Sequence, residues 1–151
     1  MRAKLSRLVA LGFGSGLSPV APGTVGTLWA WLSWLVIGQW FEGPALLLLP
    51  LAGFAIGVVA CGRTARAMGV PDHGAIVWDE IVAFWLVLAL IPAGYGWQFA
   101  GFVLFRFFDI VKPPPIRRFD RTLKGGFGVM FDDILAAFYT LLVLAAWRAW
   151  T

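Results

Sequence analysis

Three short motifs place carboxylates beside very apolar sequence. They read His73-Gly-Ala-Ile-Val-Trp-Asp79-Glu80, Phe105-Arg106-Phe-Phe-Asp109-Ile-Val-Lys112-Pro113 and Gly125-Gly126-Phe-Gly128-Val-Met-Phe-Asp132-Asp133. Asp72 and Asp120 flank the first two, so of the acids only Glu42 stands apart. Carboxylates next to membrane-grade sequence are expensive and usually functional. With a single His and a single Cys in the chain, they point to a hard cation such as Mg²⁺ and away from an N/S zinc site. Asp79, Glu80, Asp132 and Asp133 are therefore candidate metal ligands. Together with Asp109 and His73 they form the candidate catalytic set, in which two acids could ligate and another could orient a water as general base.

Neighbouring residues on a helix point about 100° apart, so one acid of each pair is expected to face the site and the other a neighbour. The bland alternative is a pair of helix N-terminal acids offsetting the helix dipole. Arg106 and Asp109 are three apart and share a helical face, where they can pair. Lys112 follows, and Pro113, Pro114 and Pro115 stiffen the chain after it. Arg106, Lys112 and Arg117 are candidate cations for a phosphate; a salt bridge and interfacial charges are the alternative. His73, beside Asp72, reads either as an acid/base group or as a hydrogen-bonded surface residue.

A fourth motif has no acids: Gly12-Phe-Gly14-Ser-Gly16-Leu-Ser18-Pro19-Val-Ala-Pro22-Gly23-Thr24-Val-Gly26-Thr27. Such a loop can offer backbone N–H groups to an anion, and Thr24 or Thr27 can cap the helix that follows. Gly23, Thr24 and Thr27 are the candidate phosphate-binding residues. It is not a Walker loop, because no Gly-Lys-Ser/Thr follows. The 125–128 glycines can likewise cradle phosphate or simply turn the chain.

Positioning these groups falls to apolar elements. The 151 residues, enough for one domain spanning 1–151, are 60% hydrophobic and 13% charged, with a mean hydropathy of +0.83. Soluble domains run near ~45–50% apolar and ~25% charged. The sequence therefore reads as an all-α, multi-span membrane bundle. Apolar segments fall at 25–41, 44–61, 81–97, 98–111 and 130–147, giving four to five membrane helices behind an N-terminal amphipathic segment and the Gly-rich loop. The third is long enough only if it runs through Pro92 and Gly94–Gly96, and the fourth is short.

Arg2, Lys4 and Arg7 precede the first span, Arg63 and Arg66 follow the second, and five more basic residues follow the fourth. With five crossings, ten of the twelve basic residues share one face, expected to be cytoplasmic, and all four motifs reach it. The net charge of +4 favours anionic lipid heads. No nucleic-acid module is visible. Cys61 alone cannot form an intramolecular disulfide.

Several phosphatase chemistries are excluded. Cys61 and Arg66 have the wrong spacing for a cysteine phosphatase, one His cannot serve a two-histidine lipid phosphatase, and no Ser-His-Asp set with a nucleophile elbow is present. Covalent aspartyl catalysis stays open, although no Asp-x-Asp pair is present; metal-assisted attack by water is the reading that remains.

The four motifs together, at residues 12–28, 72–80, 105–120 and 125–136, resemble the phosphatidylglycerophosphatase A family of bacterial membranes. The resemblance covers roughly half the chain. Two family glycines are replaced by Ala83 and Ala137. It implies Mg²⁺-dependent removal of the terminal phosphate of phosphatidylglycerophosphate, giving phosphatidylglycerol, in the inner membrane with the site toward the cytoplasm. It leaves open oligomerisation and how many of the apolar helices pack as a core. An ion-coupled transporter with buried carboxylates is the alternative from another class. A structural membrane subunit is a third, and would leave the paired acids unexplained.

Overall fold

One helix organises the rest. In the computed structural model, which describes residues 3–41, 43–69, 75–92, 94–114, 116, 118 and 125–150, helix Trp78–Leu90 is buried on nearly every face. Ile81, Val82, Ala83, Phe84 and Val87 are wholly enclosed. A helix that is apolar all round must be enclosed by protein or by lipid. Here the enclosing elements are other helices of the same chain.

In chain order the helices are α1 (Ala3–Ala10), α2 (Pro22–Ile37), α3 (Ala45–Met68), α4 (Trp78–Leu90), α5 (Tyr95–Val111) and α6 (Gly125–Trp150), with a 3₁₀ segment over Gly12–Leu17. No strand occurs among the described residues, so the all-α expectation holds. On α1, Ser6, Val9 and Ala10 turn inward while Lys4, Leu5, Arg7 and Leu8 remain exposed. That is the amphipathic spacing the sequence shows.

Tryptophans tie the outer helices to α4. Trp78 Nε1 donates to the carbonyl of Gly53 at 2.9 Å, and Trp85 Nε1 to that of Ala30 at 3.2 Å. Glycines set the closest crossing. A Cβ on Gly126 would fall 1.8 Å from the Val58 carbonyl oxygen, so α6 crosses α3 almost backbone to backbone. Gly126 thus serves helix packing, whereas a Cβ on Gly125 (φ 77°) would meet nothing. Ala83 and Ala137, where glycine was expected, are fully buried.

The span count differs from the expected four to five. Among the described residues, only α3 and α6 are long and apolar enough to cross a membrane by length and composition. Helices α2, α4 and α5 have 16, 13 and 17 residues, or about 24, 20 and 26 Å against a hydrocarbon core of ~30 Å. Helix α4 stops where Ile91 turns extended before Pro92, and Gly94 (φ 128°) breaks the chain, so it does not run through to Gly96. Helix α5 starts at Tyr95 and is correspondingly longer than its 98–111 segment.

The outer surface is apolar. Leu28, Leu32 and Val36 on α2, and Phe99, Val103, Phe107 and Ile110 on α5, are exposed at helical spacing. Leu48, Leu51 and Val59 on α3 and Phe138 and Leu142 on α6 extend the same belt. Water-soluble proteins rarely leave so much contiguous apolar surface open.

Candidate active site

Four helices bring their site residues together at one end of the bundle. The first turn of α4 brings Asp79 and Glu80, the last turns of α5 bring Arg106 and Asp109, the third turn of α6 brings Asp132 and Asp133, and the start of α2 brings Gly23. Asp79, Glu80 and Asp133 each present one carboxylate oxygen, and the three lie within 4.8 Å of one another. Asp79, Asp109, Asp132 and Asp133 are buried and Glu80 is nearly so.

Asp109 is the hub. Its Oδ2 accepts from Arg106 at 2.5 Å, and its Oδ1 lies 3.8 Å from Lys112 Nζ. The Arg106 guanidinium also reaches Glu80 Oε1 at 3.5 Å. Arg106 thus clamps two carboxylates from different helices. Glu80 precedes the apolar run of α4 that begins at Ile81.

Both acids of the first pair join the cluster, contrary to the expected division. The longer side chain of Glu80 makes up for the rotation between neighbours. In the second pair the division holds: Asp133 joins the three-oxygen set and Asp132, also buried, does not.

Lys112 ends α5 in a left-handed conformation (φ 52°, ψ 66°) directly before Pro113. A non-glycine residue there is uncommon and persists where its surroundings fix it. The Tyr139 hydroxyl donates to the Pro114 carbonyl at 3.0 Å and ties this exit to α6.

The Gly-rich motif is placed differently from the expectation. Helix α2 begins at Pro22 with Ala21 as its N-cap, so Thr24 and Thr27 lie inside the helix and neither caps it. Thr27 is fully buried, and its hydroxyl donates to the Gly23 carbonyl at 2.7 Å. The amides of Gly14 and Gly16 both bond the Leu11 carbonyl. A Cβ on Gly16 would lie 2.0 Å from the Ala75 carbonyl oxygen, so this glycine permits loop-to-loop contact. Gly23 alone touches the chemistry: its Cβ would meet both Glu80 oxygens and Arg106 within 3 Å. Sequence reading placed it in an anion loop and missed this role, for which a glycine second in a helix was the only signal. His73 and Arg117 lie outside the described residues.

The donors suit Mg²⁺. All are hard oxygens, and opposite ligands on such an ion stand about 4 Å apart, close to the spread seen. Among the described residues, Glu80 Oε2 and Asp133 Oδ2 are buried with no hydrogen-bond partner. Four carboxylates (Asp79, Glu80, Asp109, Asp133) face two cations (Arg106, Lys112), an excess of two negative charges. Buried carboxylates this close repel unless a proton or a cation lies between them.

The family model described as phosphatidylglycerophosphatase A matches residues 8–148. The chain belongs to the phosphatidylglycerophosphatase A family. A Haemophilus influenzae phosphatidylglycerophosphatase A is 46% identical over 144 residues, covering 95% of this chain and 88% of that protein. An Escherichia coli phosphatidylglycerophosphatase A is 48% identical, covering 89% of this chain and 80% of its own length. A Bacteroides thetaiotaomicron protein, assigned provisionally as a phosphatidylinositol-3-phosphatase, is 40% identical over 93% of this chain and 92% of its own. No solved structure matches significantly. Membership of this family leaves the transporter reading without support.

Proposed function

We propose that this protein hydrolyses the terminal phosphomonoester of phosphatidylglycerophosphate to phosphatidylglycerol and phosphate, with Mg²⁺ held by Asp79, Glu80 and Asp133. The observation that carries the proposal is the convergence of those three oxygens from α4 and α6 in a family whose named relatives include two phosphatidylglycerophosphatases. Bound there, the ion would supply electrophilic stabilisation of the phosphoryl oxygens and acidify a water.

The chain's own residues do the rest. Arg106 holds Glu80 and Asp109 in register across α4 and α5. Asp109, the acid touching most partners, is placed to accept a proton. Lys112 offers a point charge to a phosphate at the mouth of the site. Asp132 braces the start of α6. The apolar belt supports immersion in the membrane, with α3 and α6 as spans and the shorter helices crossing beside them. The basic residues at the helix ends support a cytoplasmic orientation in a bacterial inner membrane.

The test is phosphate release by purified protein from phosphatidylglycerophosphate in mixed micelles. Release that depends on Asp133 is expected. A protein that leaves this lipid intact while hydrolysing a phosphoinositide would shift the reading to the headgroup named for the Bacteroides relative.

A further inference from the structure

A cavity rimmed by basic side chains lies away from the carboxylates. Its volume is about 410 Å³, and Lys4 and Arg7 of α1 and Arg63, Thr64 and Arg66 of α3 line it. Four basic side chains and no acidic one surround it, and none of these residues belongs to the site described above. Thr64 is 3% exposed, and its hydroxyl has no hydrogen-bond partner among the described residues. A buried hydroxyl left unsatisfied loses its hydration without replacement, so such groups usually have a partner.

We propose that this pocket binds the phosphate group of an anionic membrane phospholipid. Lys4, Arg7, Arg63 and Arg66, on two packed helices, line this one cavity, and cations of this kind give charge-assisted hydrogen bonds to phosphate. A phosphate could come from free solution or from a lipid head, and the surroundings favour the lipid. Leu5 and Leu8 are 50% and 47% exposed on α1, next to Lys4 and Arg7. That arrangement lays apolar side chains into the acyl region while the basic ones stay at headgroup level. The pocket also closes the end of α3, one of the two helices long enough to span. Its occupant is thus a lipid separate from the one at the reaction centre, holding α1 on the membrane surface. This inference does not depend on which phosphate ester the carboxylate site cleaves.

The experiment is native mass spectrometry of the full-length protein in detergent, titrated separately with phosphatidylglycerol, phosphatidylcholine and inorganic phosphate. The double variant Arg63→Gln/Arg66→Gln is compared with the parent, and Lys4→Gln/Arg7→Gln provides a second perturbation from the other helix. Lipid held at the carboxylate site is common to all three proteins, so their difference reports the pocket. Each double variant is expected to weaken one phosphatidylglycerol adduct by about tenfold or more and leave phosphatidylcholine adducts unchanged. Equal phosphatidylglycerol affinity in parent and both folded variants would overturn the proposal. Arginine-dependent binding of inorganic phosphate without arginine-dependent binding of phosphatidylglycerol would overturn it as well, by making the ligand a soluble anion.

Discussion

Gly23 approaches Glu80 so closely that a methyl group on its Cα would stand 2.7 Å from Oε1. The obstructed atoms are the far end of a flexible side chain, so the backbone need not move; the carboxylate must. Gly23→Ala should therefore leave stability within about 1 kcal/mol, since alanine suits a helix interior. Turnover should fall on the order of ten- to a hundredfold, because a misplaced ligand spoils the geometry of the reacting groups. Thermal unfolding and initial rates on the same preparation check this. A variant with both parental rate and parental stability would show that Glu80 can retreat without loss.

Metal removal is the second test. Only hard oxygen donors face the cluster, so chelation should abolish phosphate release and Mg²⁺ should restore it. Full activity in excess chelator, with metal absence verified by elemental analysis, would remove the ion from the mechanism.

The acids should not be equivalent. Asp79→Asn, Glu80→Gln and Asp133→Asn should each lower turnover at least about a hundredfold in folded, inserted protein. Asp132→Asn should cost less, because Asp132 stands outside the three-oxygen set. Rates for Asp132→Asn at or below those for Asp133→Asn would reverse the assignment of the pair.

Lys112 is held left-handed beside Asp109, whereas Lys124 lies in a Gly-rich stretch outside the described residues. Lys112→Ala should reduce kcat/KM by about tenfold or more, and Lys124→Ala by less than about threefold. Lys112→Arg should recover only part, because a planar fork does not replace a point charge. Equal losses at matched expression and low salt would reduce both residues to generic surface charges.

Orientation is open to cysteine labelling in a Cys61→Ala background. Ser18 should label from the cytoplasm and Gly43 from the opposite side, since they flank α2. Labelling of both from one side would mean that α2 does not cross.

Much of this site was legible because its acids are few and sit at helix ends. Asp79, Glu80, Asp109 and Asp133 stand out against an apolar chain, and Arg106–Asp109 follows from i,i+3 spacing alone. Periodicity could not tell which apolar helix is enclosed by protein. Helix α4 is apolar all round, and that pattern reads the same whether lipid or other helices surround it. The glycines were ambiguous for a related reason. Gly16 and Gly126 are required by backbones that cross them, contacts that only the tertiary arrangement creates. Thr27 was read as a cap because Pro22, which starts the helix, lies five residues earlier and fixes its phase.

The burial of α4 ties the history of the core to that of the chemistry. Two of the three converging carboxylates begin the helix that every other helix of the bundle contacts. A core substitution at Ile81 or Val82 is therefore also an active-site substitution, transmitted along one rigid rod. The outward stripes of α2 and α5 carry no such coupling and need only remain greasy. Drift in this lineage should thus run fast on the rim and slowly along the axis, and an engineer retuning the enzyme has more freedom in the helices that surround α4 than in α4 itself.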